Sequence, residues 1–292
     1  MTALLFALLS TSMLPGQTGA KSAAPPDVNQ IVRRSLERDR FNFERAKDYT
    51  YRERSEVRSL DSSGKVNNRE IETNDVMILV GRPYQRLIAK DDKPLSAKEE
   101  QKEQEKIDKE LARRQRESEK DRNEAEKRRR ETRRFLDEFM SVFDLKLVGD
   151  ELWHGSPVWV IEATARPGYK ARERMAKIMQ KVHGKIWIDK SDFNWVKFEA
   201  VTTDTISVGL ALFRLGPGTK ILFEQTRVNN EIWLPSHLRV TADARIGYIR
   251  RFRRDIEITY SDHRKFQTDS RLVTGDQLPA EKQVKEPAVK PY

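Results

Sequence analysis

Apolar residues change period several times along the chain, and each change predicts an element. Behind Pro25-Pro26-Asp27, the residues Val28, Ile31, Val32 and Leu36 recur at helical spacing with Asp27 as N-cap, which predicts a helix to about Ala46. From Tyr49 the period falls to two. Strands are predicted over Tyr49 to Leu60, Asn67 to Val80 and Tyr84 to Ala89, with turns at Asp61-Ser62-Ser63-Gly64 and Gly81-Arg82-Pro83. Ser96, with Glu99 and Glu100, then opens a charged helix that is predicted to reach Arg134. Its pairs Glu105/Lys109, Glu110/Arg114, Glu124/Arg128 and Glu126/Arg130 stand one turn apart in the favourable order. Apolar residues almost vanish from Ala112 to Arg134, so this segment is expected to be a solvated rod or a hairpin bent near Asp121-Arg122-Asn123. At Phe135 an apolar face returns with Leu136, Phe139, Met140 and Phe143, suited to docking on a sheet.

Strands resume at Lys146 to Val148 and Val158 to Ala163, on either side of a turn-rich stretch from Gly149 to Pro157. A short helix is predicted over Ala171 to Lys181 with Met175, Ile178 and Met179 facing one way. Further strands are expected at Gly184 to Asp189, Trp195 to Thr203, Ile206 to Phe213, Ile221 to Asn229, Ile232 to Ala244 and Tyr248 to Tyr260. These elements give an α+β class: a strongly curved antiparallel sheet wrapping helices in one domain over 27–265, with 96–134 as a charged helical insertion. The polar, Pro-bearing segment 267–292 is expected to be disordered.

The chain of 292 residues has no cysteine, which excludes disulfides, zinc–thiolate sites and thiol nucleophiles. Charged residues make up 35% and the net charge is +10, pointing to acidic partners such as lipid head groups or cell-wall polymers. Ala3 to Leu9 reads ALLFALL and is followed by Thr18-Gly19-Ala20, the apolar region and cleavage site of a secretory signal peptide over residues 1–20, although no Lys or Arg precedes it. Export and a periplasmic location follow as expectations, and export argues against nucleic acid as the partner.

The succession Gly184-Lys185-Ile186-Trp187-Ile188-Asp189, Val196-Lys197-Phe198-Glu199-Ala200, Phe223-Glu224-Gln225 and Asn230-Glu231-Ile232-Trp233-Leu234-Pro235 resembles the strands of outer-membrane lipoprotein-sorting proteins, the LolA-like group. The resemblance implies an unclosed β-barrel with helices as a lid, enclosing an apolar cavity for acyl chains. The charged insertion departs from that pattern, and lipid-binding and envelope-stress-sensing relatives share the fold.

Candidate binding residues follow from alternation. Tyr248, Arg250, Phe252, Arg254, Ile256, Ile258 and Tyr260 share one face of the last strand, so Arg250 and Arg254 are candidates for a head-group contact beside Phe252. The alternative is that these arginines sit at an exposed strand end or pair with nearby carboxylates such as Glu199 or Glu224. Ile206, Val208, Leu210 and Leu212 line a cavity or pack in a core, and Met175 and Met179 belong to an adaptable lid or a core helix. His154, His183, His237 and His263 stand apart without metal-ligand spacing, and Asp189 and Asp192 read as turn residues. No nucleophile elbow, phosphate loop or dinucleotide motif is present, so no enzyme activity, metal or cofactor is expected. The expected function is a periplasmic carrier that buries and releases a lipid or acyl chain. The alternative is an envelope interaction or stress-sensing platform whose 96–134 helix meets a partner protein or an anionic membrane surface.

Overall fold

The structure, a computed structural model, describes residues 26–265 apart from 62, 132, 209–212 and 247–249; the expected leader and tail lie outside the described residues. Helix α1 (Val28–Ala46) starts where the sequence predicts, with the Asn29 amide donating to the Asp27 carboxylate at 2.9 Å. The strands β1 (Tyr49–Leu60), β2 (Val66–Leu79), β3 (Arg82–Lys90) and the short β4 (Lys93–Pro94) follow as a meander. At the first turn Asp61 accepts from the Ser63 and Lys65 amides, as its Asx-turn chemistry requires.

The predicted single charged helix is two helices, α2 (Ala97–Gln115) and α3 (Glu119–Glu131), followed by α4 (Phe135–Val142). The break falls at Arg116–Ser118 rather than near Asp121, because Ser118 starts a new helix: the Asp121 amide donates to its hydroxyl at 3.2 Å, and its own amide donates back to the Asp121 carboxylate. Three of the predicted intrahelical ion pairs are closed, Glu110–Arg114, Glu124–Arg128 and Glu126–Arg130.

α2 is also not a free rod. It lies along β3, buries Ile107, and inserts Arg114 into the turn that joins β2 to β3. There the guanidinium donates to the carbonyls of Leu79 at 2.8 Å, Arg82 at 2.9 Å and Pro83 at 3.2 Å, and its Nε donates to Glu110 at 2.5 Å. Arg114→Ala is therefore expected to destabilise this corner by about 2–3 kcal/mol, since it strands carbonyls that one fork satisfies. Arg114→Lys should fail to restore it, because a point ammonium cannot reach three acceptors at fork spacing. Hydrogen exchange across 79–83 and α2 would register the loss, and protection as in the unsubstituted protein would contradict it.

The second half begins with β5 (Phe143–Trp153) and β6 (Ser156–Ala165), a long hairpin where the sequence predicted a turn-rich loop. The whole loop is His154-Gly155, both at positive φ (47° and 84°), the two-residue geometry that matches strand twist. After α5 (Arg174–Met179) come β7 (Val182–Asp189), β8 (Trp195–Thr202), β9 (Ile206–Val208), β10 (Phe213–Leu215), β11 (Lys220–Val228), β12 (Ile232–Ile246) and β13 (Arg250–Lys265). The single strand predicted over Ile206 to Phe213 is instead the hairpin β9–β10, with Val208 opposite Phe213; both arms are apolar, so alternation alone reads them as one.

All pairings are antiparallel and form one open sheet in the order β4-β3-β2-β1-β13-β12-β11-β8-β7-β6-β5, with β10 and β9 attached beyond β12. The first and last long strands pair at the centre, Tyr49 with Lys265 through to Leu60 with Arg253. One meander thus runs outward to the edge strand β4, and the other runs inward from the opposite edge strand β5. The charged segment is consequently the crossover between the two edges of an unclosed barrel, not a decoration on it.

Candidate functional site

Residues directly opposite in an antiparallel pair share a face, so the registers trace rows of side chains across the sheet. One row is Ser55, Ile258, Leu238, Phe223, Phe198, Ile186, Ile161 and Leu147. The next on the same face is Val57, Ile256, Val240, Ile221, Ala200, Gly184, Ala163 and Leu145. On the opposite face the matching row is Glu56, Glu257, Arg239, Leu222, Glu199, Lys185, Glu162 and Lys146. One side of the sheet is therefore apolar from β1 to β5. The other is charged and cross-linked along β1, β13 and β12, with Arg58 bonded to Asp255 at 3.0 Å and Glu257 at 3.1 Å, Arg69 to Glu56 at 2.8 Å and Arg239 to Asp255 at 3.1 Å. Further along β6 and β7 that side carries Val158, Val160 and Trp187, buried in a cluster with Trp233.

The helices cover only part of the apolar face. Ile31 and Val32 of α1, Phe139 and Val142 of α4 and Ala176 of α5 pack on Ile161, Ala163 and Ile188, with Leu145, Leu147, Ile186 and Trp195 at the margin of this core. Full burial of such side chains is worth about 1.5–3 kcal/mol each, which fixes α4, α5 and the first turns of α1 to the β5–β8 half, while Ala46 at the end of α1 packs against Tyr49, Ile232 and Leu234. Arg133 ties the helical crossover to α1: it pairs with Asp39 and stacks on Phe43 at 4.3 Å, while Asp39 also accepts from the Trp195 indole at 2.8 Å.

Beyond Trp195 the rows continue without packing into that core. Trp195 meets Phe198 and Phe223 at ring distances of 5.7 and 5.4 Å, and the two phenylalanines stack at 5.6 Å. Past this aromatic group, Ile221, Leu238, Val240, Ile256, Ile258 and Val57 remain partly exposed and belong to none of the packed clusters. The result is an apolar trough along β11, β12, β13 and β1, walled on one side by the helix-covered core. By contrast, the two shallow clefts beside α3 are lined by charged side chains, among them Glu119, Lys127, Arg130 and Arg134, and offer no apolar surface of this extent.

Of the candidates read from sequence, Arg254 lies on the trough side, at the register position shared by Ser59 and Ala242, and is exposed. Glu199 and Glu224 lie on the other face from Arg254, near Lys197 at 2.6 Å and His237 at 3.4 Å. Arg250 and Phe252 stand on β13 opposite Ile246 and Ala244, in the extension where β10 also joins β12. Ile206 is buried on β9, opposite Leu215, and Val208 is opposite Phe213. Leu210 and Leu212 lie outside the described residues. Met175 and Met179 do not face one way: Met175 is 45% exposed, whereas Met179 packs on the α1–α4–α5 core, because the helix is only Arg174–Met179 and turns Ala176 inward. The trough residues Phe198, Phe223, Leu238 and Val240 were not singled out from sequence. Their period-two signal is present in each strand, but only the register aligns it across strands.

Asp189 and Asp192 are turn residues, as read: Asp189 accepts from the Ser191 and Asp192 amides, and Asp192 from the Trp233 indole at 2.9 Å. Among the described residues no group of three His, Asp or Glu side chains converges as a metal site, and no helix is long and apolar enough to cross a membrane.

No family model matches the chain, and no curated protein matches it. Solved structures do. It is similar to a DUF1329 family protein from Desulfovibrio piger, at 13% identity and a TM-score of 0.31, over 82% of this chain and 92% of that one. It is also similar to a LolA superfamily protein from Nitrosomonas europaea, at 11% identity and a TM-score of 0.28, over 83% and 94%. A third similarity is to the MucA/MucB complex of Pseudomonas aeruginosa, at 11% identity and a TM-score of 0.25, over 83% and 100%. At these identities and TM-scores the likenesses say nothing of function; the chain's own sheet is unclosed and antiparallel, with helices on its apolar face.

Proposed function

We propose that the protein is a periplasmic carrier, exported by its first 20 residues, that buries and releases an acyl chain or similar apolar ligand along the trough without bond chemistry. The observation that carries this reading is the pair of apolar rows, which continue past the helix-covered core onto partly exposed strands. Each methylene moved from water onto that surface is worth up to ~0.8 kcal/mol, so a long chain gains enough to be held and little enough to be released when water re-enters. Native mass spectrometry with organic extraction, on protein purified from the periplasm without detergent, tests it. A defined extra mass that extracts as lipid is expected. Protein that is empty and takes up no added acyl ligand would overturn the reading.

A second reading, a platform that uses the crossover as its contact arm, is favoured by one observation: α3 buries none of its residues. It expects a protein partner whose capture weakens with salt and is lost when α3 is replaced by a neutral helix. Capture that is indifferent to both changes would remove α3 from the contact.

A further inference from the structure

Among the described residues, Glu53 is a partly buried carboxylate on the trough side without a cation; Glu70 and Glu72, on the same face of β2, also lack one but are exposed to water. Glu53 lies on β1 opposite Tyr260 of β13 and Asn74 of β2, one alternation beyond the Ser55–Ile258–Leu238 row and on the same face. In a chain with 56 Lys and Arg, it forms no ion pair among the described residues; its polar contact is the Gln85 amide at 3.4 Å. Glu56, three residues on and on the opposite face, engages Arg54, Arg58 and Arg69. Burial holds the Glu53 carboxyl above the ordinary range, so its charge is poorly solvated where it stands.

Around it are aromatic faces. Tyr51 and Tyr260 meet edge to face at 5.7 Å, and the His263 ring lies 5.9 Å from Tyr51, with its Nε2 at 2.9 Å from the Pro235 carbonyl. Neither tyrosine hydroxyl has a hydrogen-bond partner among the described residues. Two electron-rich rings beside an unpaired carboxylate form the arrangement that holds alkylammonium groups, which gain from ring quadrupoles and from a full negative charge but need no directed hydrogen bond.

We infer that Tyr51, Glu53 and Tyr260 form a head-group site for a cationic amphiphile, an amine or quaternary ammonium whose chain lies along Ile258, Leu238 and Phe223. This rests on the reading of the apolar face as a ligand trough. The positive group sits between the rings against the Glu53 carboxylate, and the chain leaves along the apolar row.

Calorimetric titration of the full chain with dodecyltrimethylammonium, dodecyl maltoside and dodecanoate, each below its micellar concentration, tests the site. The cation is expected to bind about tenfold more tightly than the neutral detergent. Glu53→Gln should abolish that preference and leave neutral binding unchanged, and Tyr51→Leu with Tyr260→Leu should do the same, while Tyr260→Phe keeps most of it. Equal binding of cation and neutral detergent that Glu53→Gln does not alter, or tightest binding of dodecanoate, would overturn the head-group assignment and leave the trough standing. Failure of all three to bind would instead remove the trough, and this site with it.

Discussion

Gly184→Ala is expected to destabilise the protein, against the usual direction for glycine in a strand. Alanine ordinarily gains about 0.5–1 kcal/mol over glycine there, because it restricts the unfolded chain. At position 184, however, a Cβ would sit on the carbonyl oxygen of Glu199 and 3.2 Å from the Ala200 Cα. Both are backbone of β8, held in register on each side by β7 and β11, so they cannot swing aside as a flexible side chain would. The conflict should cost about 1–3 kcal/mol for alanine and more for Gly184→Val, whose branches point into the same strand. It would appear as a lower urea midpoint at unchanged slope. A midpoint that rises would show that β7 and β8 stand further apart than their register requires. The position also matters for the ligand face, since Gly184 lies between Ala200 and Ala163 in a row that stays shallow where the helix-covered core begins.

What the sequence carried legibly were elements whose period is local. The limits of β1 and the start of α1 coincide with the predicted ones, because a period-two run and an Asp cap are each read within a few residues. Of β5 only Lys146 to Val148 was read, for a physical reason. β5 is an edge strand with Val148 at 42% and Leu152 at 74% exposure, so its alternation does not sort apolar from polar residues, and Gly149 and Asp150 read as a turn. The break in the charged helix had a signal, the Ser118-x-x-Asp121 capping pattern, that the density of charge obscured. Nothing local reveals that Arg114 is buried in a distant turn, because its role depends on carbonyls more than thirty residues away. The trough was half legible. Ile256, Ile258 and Tyr260 share their face by alternation, yet their continuity with Leu238 and Phe223 depends on registers that no single strand encodes.

Leu238→Asp is expected to remove acyl binding while the protein stays folded, and the comparison that gives the result meaning is Leu222→Asp. Leu238 is partly exposed in the middle of the trough row, between Ile258 and Phe223. An aspartate there keeps its hydration in the empty protein, so the cost to the fold is small, but an acyl chain laid over it must strip that water. Dehydrating a carboxylate against hydrocarbon without a partner costs at least about 2–4 kcal/mol, a loss of roughly 30- to 1,000-fold in affinity. Leu222 is a neighbouring residue of β11, also partly exposed, and its side chain stands on the charged face opposite Arg239 and Glu199. The same substitution there places an acid beside a guanidinium and should leave acyl affinity as it was. Displacement of a fluorescent fatty acid reads both variants under one condition. If the two weaken binding equally, the ligand does not lie on the apolar face and the proposed carrier mechanism fails. If only Leu238→Asp weakens it, the row of residues joined by register is the binding surface, and its polar end at Glu53 is the next place to titrate.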